Sequence, residues 1–339
     1  MKKRSGIVRG ILFGVVGCVL LLFPSFAQNR YQIHIINMVG IYILLSLGLN
    51  LAMGYAGQFN LAIGALWGVG AYTAAILNTR LGIPFWLNLP AAMIVTAIIG
   101  GFVGLPSLKV RSHYLAIVTI GLGEVINIIL VNEEWLTGGA LGISRIQMPG
   151  FFGIPLDNEE RFYYVILITV VLGYLVARQI VRHRIGRSFR AIRDDYQAAK
   201  AMGVNTGYFQ ILAFVISAAY CGAAGALFAH LNTYISPDIF EFKSTLFVMT
   251  MTMVGGMGDL LGSLIGGLAL PVLQEYLRVV GAWQLVVYGI AIMVVVLFLP
   301  GGVIELTRRL ETSRKIRMSK VNGTTDENPQ AEEPNVPGN

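Results

Sequence analysis

Residues Arg182–Gly203 read RHRIGRSFRAIRDDYQAAKAMG, a polar interruption with long apolar runs on both sides. It gathers five arginines and a lysine around a short amphipathic segment. Basic loops between apolar spans face the cytoplasm, so this stretch sets how the rest of the chain threads. Its pattern is helical, with Asp194 and Asp195 where an N-cap and first-turn acid belong and Gly203 where a C-terminal stop belongs. A short rigid helix held on the cytoplasmic face is something an external motor can grip. The chain therefore reads as driven by another protein rather than self-powered.

Composition agrees that the apolar runs are membrane spans. Of 339 residues, 55% are hydrophobic and 13% charged, with a mean hydropathy of +0.68. A soluble domain carries roughly 25% charged residues. The runs suit helices of about 20 residues crossing a hydrocarbon core near 30 Å, and they lack the alternation of an outer-membrane barrel. The expected fold is an all-α polytopic bundle. The net charge of +7 marks topology rather than a nucleic-acid surface. Basic residues cluster in residues 1–10, at Lys109 and Arg111, from Arg178 to Lys200 and beyond Pro300, whereas five acids lie between Glu133 and Glu160. Cys18 and Cys221 both fall in apolar runs, so no disulfide framework is expected.

Ten apolar segments can be marked, near 7–27, 33–53, 58–78, 85–105, 114–131, 162–181, 208–232, 244–257, 260–278 and 284–300. Threaded from a cytoplasmic start, they put every basic cluster and both termini inside and the acidic 132–161 loop outside. Segment 244–257 is short, and if 244–278 forms one re-entrant hairpin the count falls to eight. The organisation reads as a signal-anchor span in 1–32, a transport domain in 33–305 and a disordered cytoplasmic tail in 306–339. The N-terminal run ends Pro-Ser-Phe-Ala, which also fits a cleavable signal with a site after Ala27.

Glycines spaced four apart at Gly64/Gly68, Gly100/Gly104 and Gly262/Gly266 let helices approach closely in lipid. Two glycine-broken stretches, Gly54–Tyr72 in the first half and Gly255–Gly267 in the second, point to pseudo-symmetric halves around a path lined by unwound backbone. Along such a path the polar or backbone-exposing candidates are Gly54, Tyr55, Gly57, Gln58, Asn60, Tyr114, Thr119, Glu124 and Asn127. Glu124 and Asn127 are three apart on a helix, with Gly121 expected on the same face. A carboxylate there should face the bundle, because lipid exposure costs a few kcal/mol. Glu275 has Arg278 one turn away, and a local ion pair accounts for it.

Other chemistries fit poorly. Gly256-Met-Gly258-Asp259 matches the signature of an intramembrane aspartyl protease, but that reaction needs a second aspartate and no other span holds one. His34, His113, His183 and His230 lack ligand spacing, so no metal is expected. The sequence has no Gly-Lys dipeptide and hence no phosphate-cradling loop.

Six separated motifs resemble the longer permease subunit, the LivM type, of bacterial ABC importers for branched-chain amino acids. Gly54–Tyr72 is similar to that family's Gly-Tyr-Ala-Gly-Gln start and Gly-x-Gly-Ala-Tyr finish. Tyr114–Glu124 and the Thr137-Gly138-Gly139 external loop resemble its next signatures. Arg184–Gly203 resembles its coupling loop, and Gly255–Gly258 and Pro300–Gly302 its closing pattern. The resemblance covers residues 33 to 305 and implies a heterodimer with a second permease subunit, two cytoplasmic ATPase subunits and a periplasmic substrate-binding protein. It implies that ATP and Mg bind those partner subunits and that no cofactor binds this chain. Arg193, Asp194, Asp195, Gln197, Ala198, Ala199 and Gly203 would couple to the ATPases. Gln197 departs from the glutamate usual at its position. Leucine, isoleucine and valine are the implied cargo, with urea, short amides or other amino acids as the alternative and an ion-coupled transporter as the rival class.

Overall fold

The computed structural model describes residues 29–283 apart from 111–112, 149, 152–153 and 156–158, together with residues 286, 287, 289, 290, 293 and 302. The expected first span 7–27, its cleavage site, Arg111, nearly all of segment 284–300, the Pro300–Gly302 motif apart from its last glycine, and the tail lie outside the described residues. Within them the chain is all-α, as its hydropathy requires. Helix α1 (Arg30–Leu49) runs on through a π-helical turn, Asn50–Tyr55. Then follow α2 (Ile63–Leu81), α3 (Phe85–Gly104), α4 (His113–Asn132) and the short α5 (Glu134–Thr137). The second part contains α6 (Glu159–Arg182), α7 (Arg184–Asp194), α8 (Tyr196–Ala201), α9 (Thr206–Asn232), α10 (Phe242–Gly255) and α11 (Leu260–Leu277). Two residue pairs of β-bridge, β1 (Ile143–Ser144) with Tyr234–Ile235, tie the loop after α5 to the end of α9.

Among the described residues, six helices are long and apolar enough to cross a membrane: α1 with its π turn, α3, α4, α6, α9 and α11. Helices α1 and α9 form the centre, with 67% and 72% of their apolar windows buried. Helices α4 and α6 bury only 22% and 17% and leave broad apolar faces uncovered. A helix with one buried and one apolar uncovered face is at home against lipid or a partner subunit.

The bundle has a basic end and an acidic end. At the acidic end His34 Nδ1 lies 3.6 Å from Glu159 Oε2 and Arg80 donates to the Trp135 and Leu136 carbonyls. At the basic end stand the tips of α1 and α6 and the paired helices α7 and α8. Segment 244–257 forms α10, whose 14 residues start beside the aromatic core rather than at the acidic end. Phe240 packs edge-on against Trp67 at 5.0 Å, and Trp67 in turn meets Tyr42 in the middle of α1 at 6.0 Å. Residues 233–241 thus descend without α-helix, through a 3-10 turn at Pro237–Phe240, from the acidic end to the middle of the bundle. Helix α11 returns the full distance, reaching Tyr31 through Glu275. The two arms are unequal: α10 runs from mid-depth to the basic end, and α11 runs back to the acidic end.

The three glycine pairs all sit at close approaches: a β-carbon on Gly68 would come 3.0 Å from Phe240 and one on Gly104 2.9 Å from Phe214, while Gly262 would meet the Gly256 carbonyl at 2.6 Å. Another close helix crossing has no four-residue signature. It joins α2 to α9, where a β-carbon on Gly70 would lie 2.6 Å from Gly222 Cα and one on Gly225 2.6 Å from the Trp67 carbonyl. A Gly225→Leu chain is expected to lose most of its monodisperse fraction in detergent, because overpacking of this kind costs about 1–3 kcal/mol or more. A wild-type elution profile would contradict the crossing.

Candidate functional site

Two neighbourhoods gather the polar groups that an apolar bundle must explain. The first is a clamp at the basic end, and its centre is Asn50, a fully buried residue that sequence reading passed over. Asn50 Nδ2 donates to the Asp259 carbonyl and to Ser263 Oγ, both at 2.7 Å, while its Oδ1 accepts from Gly258 N at 2.8 Å. The π turn that begins at Asn50 shifts the helix register where this side chain leaves the backbone, a common arrangement at functional sites. Gly54 has no room for a side chain, since a β-carbon there would overlap Asn50 Oδ1 and lie 2.5 Å from Gly258 N. Gly258 adopts φ +82, a conformation that favours glycine, and so turns its amide toward Asn50.

Arg193, the last basic residue of α7, reaches into this clamp. Its Nη1 donates to the Gly54 carbonyl. Its stem lies over Gly57, whose β-carbon position is 3.2 Å from Arg193 Cγ. One guanidinium thus touches both glycine-broken stretches, because Nη1 also borders Gly258. Helix α7 ends at Asp194, and Asp195 is the N-cap that starts α8, its Oδ1 accepting from Gln197 N at 2.8 Å and Ala198 N at 3.0 Å. Of the two aspartates, Asp195 is thus the cap and Asp194 closes the preceding helix. Ala199 is buried against the bundle, whereas Gln197, Ala198 and Gly203 face outward and Met202 is 84% exposed. Gly203 stops α8 at φ +82 as its sequence position required.

The second neighbourhood is a cleft near mid-depth. Residues 56–62 rise from the clamp without helix. Asn60 is fully buried, its Oδ1 accepting from Ala62 N at 3.1 Å, and Thr119 Oγ1 accepts from Leu61 N at 3.1 Å. From the opposite end, the descending 233–241 segment delivers Phe240 and Phe242. Between the two lies a cleft bounded by Leu61, Glu124, Asn127, Phe240, Phe242 and Thr245. It holds about 10 Å³ of water-accessible volume, roughly one water molecule. Unwound backbone at membrane depth is tolerated where it is buried in protein or lines such a space. Asn127 Oδ1 is buried there with no partner among the described residues.

The expected path residues divide between these two places. Gly54, Tyr55, Gly57 and Gln58 belong to the basic-end clamp. Asn60 and Thr119 hold the rising segment, and Glu124 and Asn127 face the cleft. Tyr114 stands apart on an uncovered face of α4, 73% exposed. Gly121 shares the exposed Glu124 side, and a β-carbon there would meet nothing, whereas Gly123 turns inward, its β-carbon position 3.3 Å from Ala62. The second cleft wall is 233–242 and not Gly255–Gly267, whose glycines serve the α10–α11 turn and the clamp. Thr137 Oγ1 lies 2.7 Å from the Leu130 carbonyl and accepts from Gly139 N at 3.1 Å, so with Gly138 and Gly139 it folds the acidic-end loop onto α4. Glu275 pairs with Arg278 at 3.7 Å, as expected.

Comparison with known proteins places this geometry in context. Residues 31–297 match the family described as branched-chain amino acid transport system, permease component. The chain is 34% identical over 324 residues to the high-affinity branched-chain amino acid transport system permease protein LivM of Escherichia coli (strain K12), covering 89% of this chain and 76% of that one. It is 29% identical over 287 residues to the permease protein LivH of Salmonella typhimurium, covering 78% and 91%. It is 24% identical over 298 residues to the autoinducer 2 import system permease protein LsrC of Salmonella paratyphi B, covering 82% of each. No solved structure matches the chain.

Proposed function

The chain belongs to the family of branched-chain amino acid transport permeases, and on that premise we propose that it moves leucine, isoleucine and valine inward by alternating access as one half of a permease heterodimer. Two cytoplasmic ATPases carrying ATP and Mg supply the power, and a periplasmic binding protein supplies the solute. The chain itself catalyses nothing and binds no cofactor in this reading. Its basic end faces the cytoplasm, following the charge bias. Ten crossings result if α2, the 233–255 arm and segments 7–27 and 284–300 are added to the six long helices, with both termini inside. Residues 33–305 are the transport unit and 306–339 a tail.

One observation carries the mechanism. The α7 residue Arg193 is hydrogen-bonded to the backbone of Gly54, so the exposed α8 handle and the base of the path form one unit. Closure of the ATPases on Met202 and the outward face of α8 pulls α7, and α7 pulls the clamp. Displacing the clamp moves the foot of residues 56–62, which wall the cleft. A cleft with room for one water must widen to pass leucine, and its Glu124 side, on the uncovered face of α4, is where the second permease subunit completes the path. Amide and backbone groups there suit the polar ends of an amino acid, and Phe240 and Phe242 suit its side chain.

The test is purification and uptake of the native complex. A Met202→Glu chain should insert normally but lose ATPase co-purification and most leucine uptake, because a charge enters a docking contact that buries an exposed methionine. This variant is preferable to deleting 193–204, which would also remove Arg193 from the clamp. Full uptake by Met202→Glu, or a native complex without ATPase, would refute the assignment. Competition by leucine, aromatic amino acids and urea in the same assay reads out the cargo.

A further inference from the structure

We infer that the acidic end carries a binding site for a zwitterionic phospholipid, of the phosphatidylethanolamine class, between α1 and α11. A groove of ≈ 370 Å³ opens there. Its rim holds opposite charges: Glu275 and Arg278 stand 3.7 Å apart, and Tyr31 bridges them, donating to Glu275 and accepting from Arg278 Nη1 at 2.9 Å. Below the rim the walls turn apolar, with Ile35, Met38 and Pro271 leading down to Tyr42. From Tyr31 to Tyr42 the groove follows about 16 Å of helix, at 1.5 Å per residue.

That gradient identifies the occupant. An ammonium next to Glu275 and a phosphate next to Arg278 would satisfy both charges at once, and a tyrosine at headgroup level is usual for a membrane interface. Pockets between spans with charged rims are where specific headgroups bind. A free leucine has the same pair of charges but is too short to cover an apolar wall of this depth. Residues 10–28 could cover the wall but contain no charged side chain to meet the rim. The site lies at the opposite end of α1 from the clamp and stands independently of the transport reading.

The experiment uses the full chain with its co-purifying subunits in nanodiscs of equal phosphatidylethanolamine and phosphatidylglycerol. Lipid retained after extraction is counted by native mass spectrometry. One phosphatidylethanolamine per chain should be retained, preferred over phosphatidylglycerol by about two- to fivefold, as expected for a partly exposed ion pair. Glu275→Gln should erase or reverse that preference, since Arg278 still attracts phosphate while the ammonium partner is gone. Met38→Trp, which fills the groove and leaves the rim intact, should abolish retention. An unchanged preference in Glu275→Gln overturns the inference. So does displacement of the lipid by leucine, and so does retention seen only after residues 1–27 are removed, which would mean that segment covers the groove.

Discussion

An Arg193→Ala chain is expected to lose more than about nine-tenths of solute uptake in the reconstituted complex while inserting, assembling and hydrolysing ATP near wild-type rates. A hydrogen bond from a charged donor contributes about 1.5–3 kcal/mol, equivalent to roughly 10- to 150-fold in an equilibrium. Here it joins a guanidinium to the Gly54 carbonyl. Without it the motor would still close on α8, but the pull would stop at α7. Helix α7 should remain folded, because Phe189 and Ile192 anchor it in the core. Arg193→Lys should recover part of the uptake, since an ammonium can reach one carbonyl yet cannot also border Gly258. Uptake in Arg193→Ala within twofold of wild type would show that the handle is not connected to the path through this residue.

The second large effect concerns stability. Asn50→Leu keeps the branched shape, with somewhat more bulk, but leaves the Gly258 amide, the Asp259 carbonyl and Ser263 Oγ without their present partners. Measured side-chain hydrogen bonds in membrane bundles average about 0.6 kcal/mol and reach about 1.7. Three together should therefore cost at least about 2 kcal/mol, visible as a lower unfolding midpoint in detergent. Asn50→Asp keeps the acceptor for Gly258 but sets a second acceptor against the Asp259 carbonyl, so its loss should be intermediate. An Asn50→Leu chain as stable as wild type would mean that water replaces the asparagine and that the clamp is loose.

Much of the fold is visible in the sequence because lipid imposes simple rules. Apolar length marks the six long helices, whereas the marked segments 58–78 and 244–257 correspond to chain that is helical only in part or only briefly, and local capping chemistry marks Asp195 and Gly203. The site was legible where it depends on a local pattern, as with Glu124 and Asn127 on one helical face. It was illegible where the deciding contact is distant in the chain. Asn50 is one polar residue among leucines, and only its approach to residues more than 200 positions away gives it meaning. The depth of 233–241 is set by Phe240 docking on Trp67, which no turn signal around Pro237 announces. The 255–267 stretch does unwind, at Gly256 and Gly258, but its opened backbone meets Asn50 rather than the cleft, which glycine spacing alone cannot tell.

As the path proposed above, the narrow cleft would also protect the cell's energy supply. A passage with room for about one water molecule excludes hydrated sodium or potassium. In a cell that stores energy as ion gradients, an idle importer with a standing pore would short-circuit the membrane. Phe240 and Phe242, by filling the middle of the bundle, act as electrical insulation, and widening the cleft by truncating them should make resting vesicles leak before it makes them import.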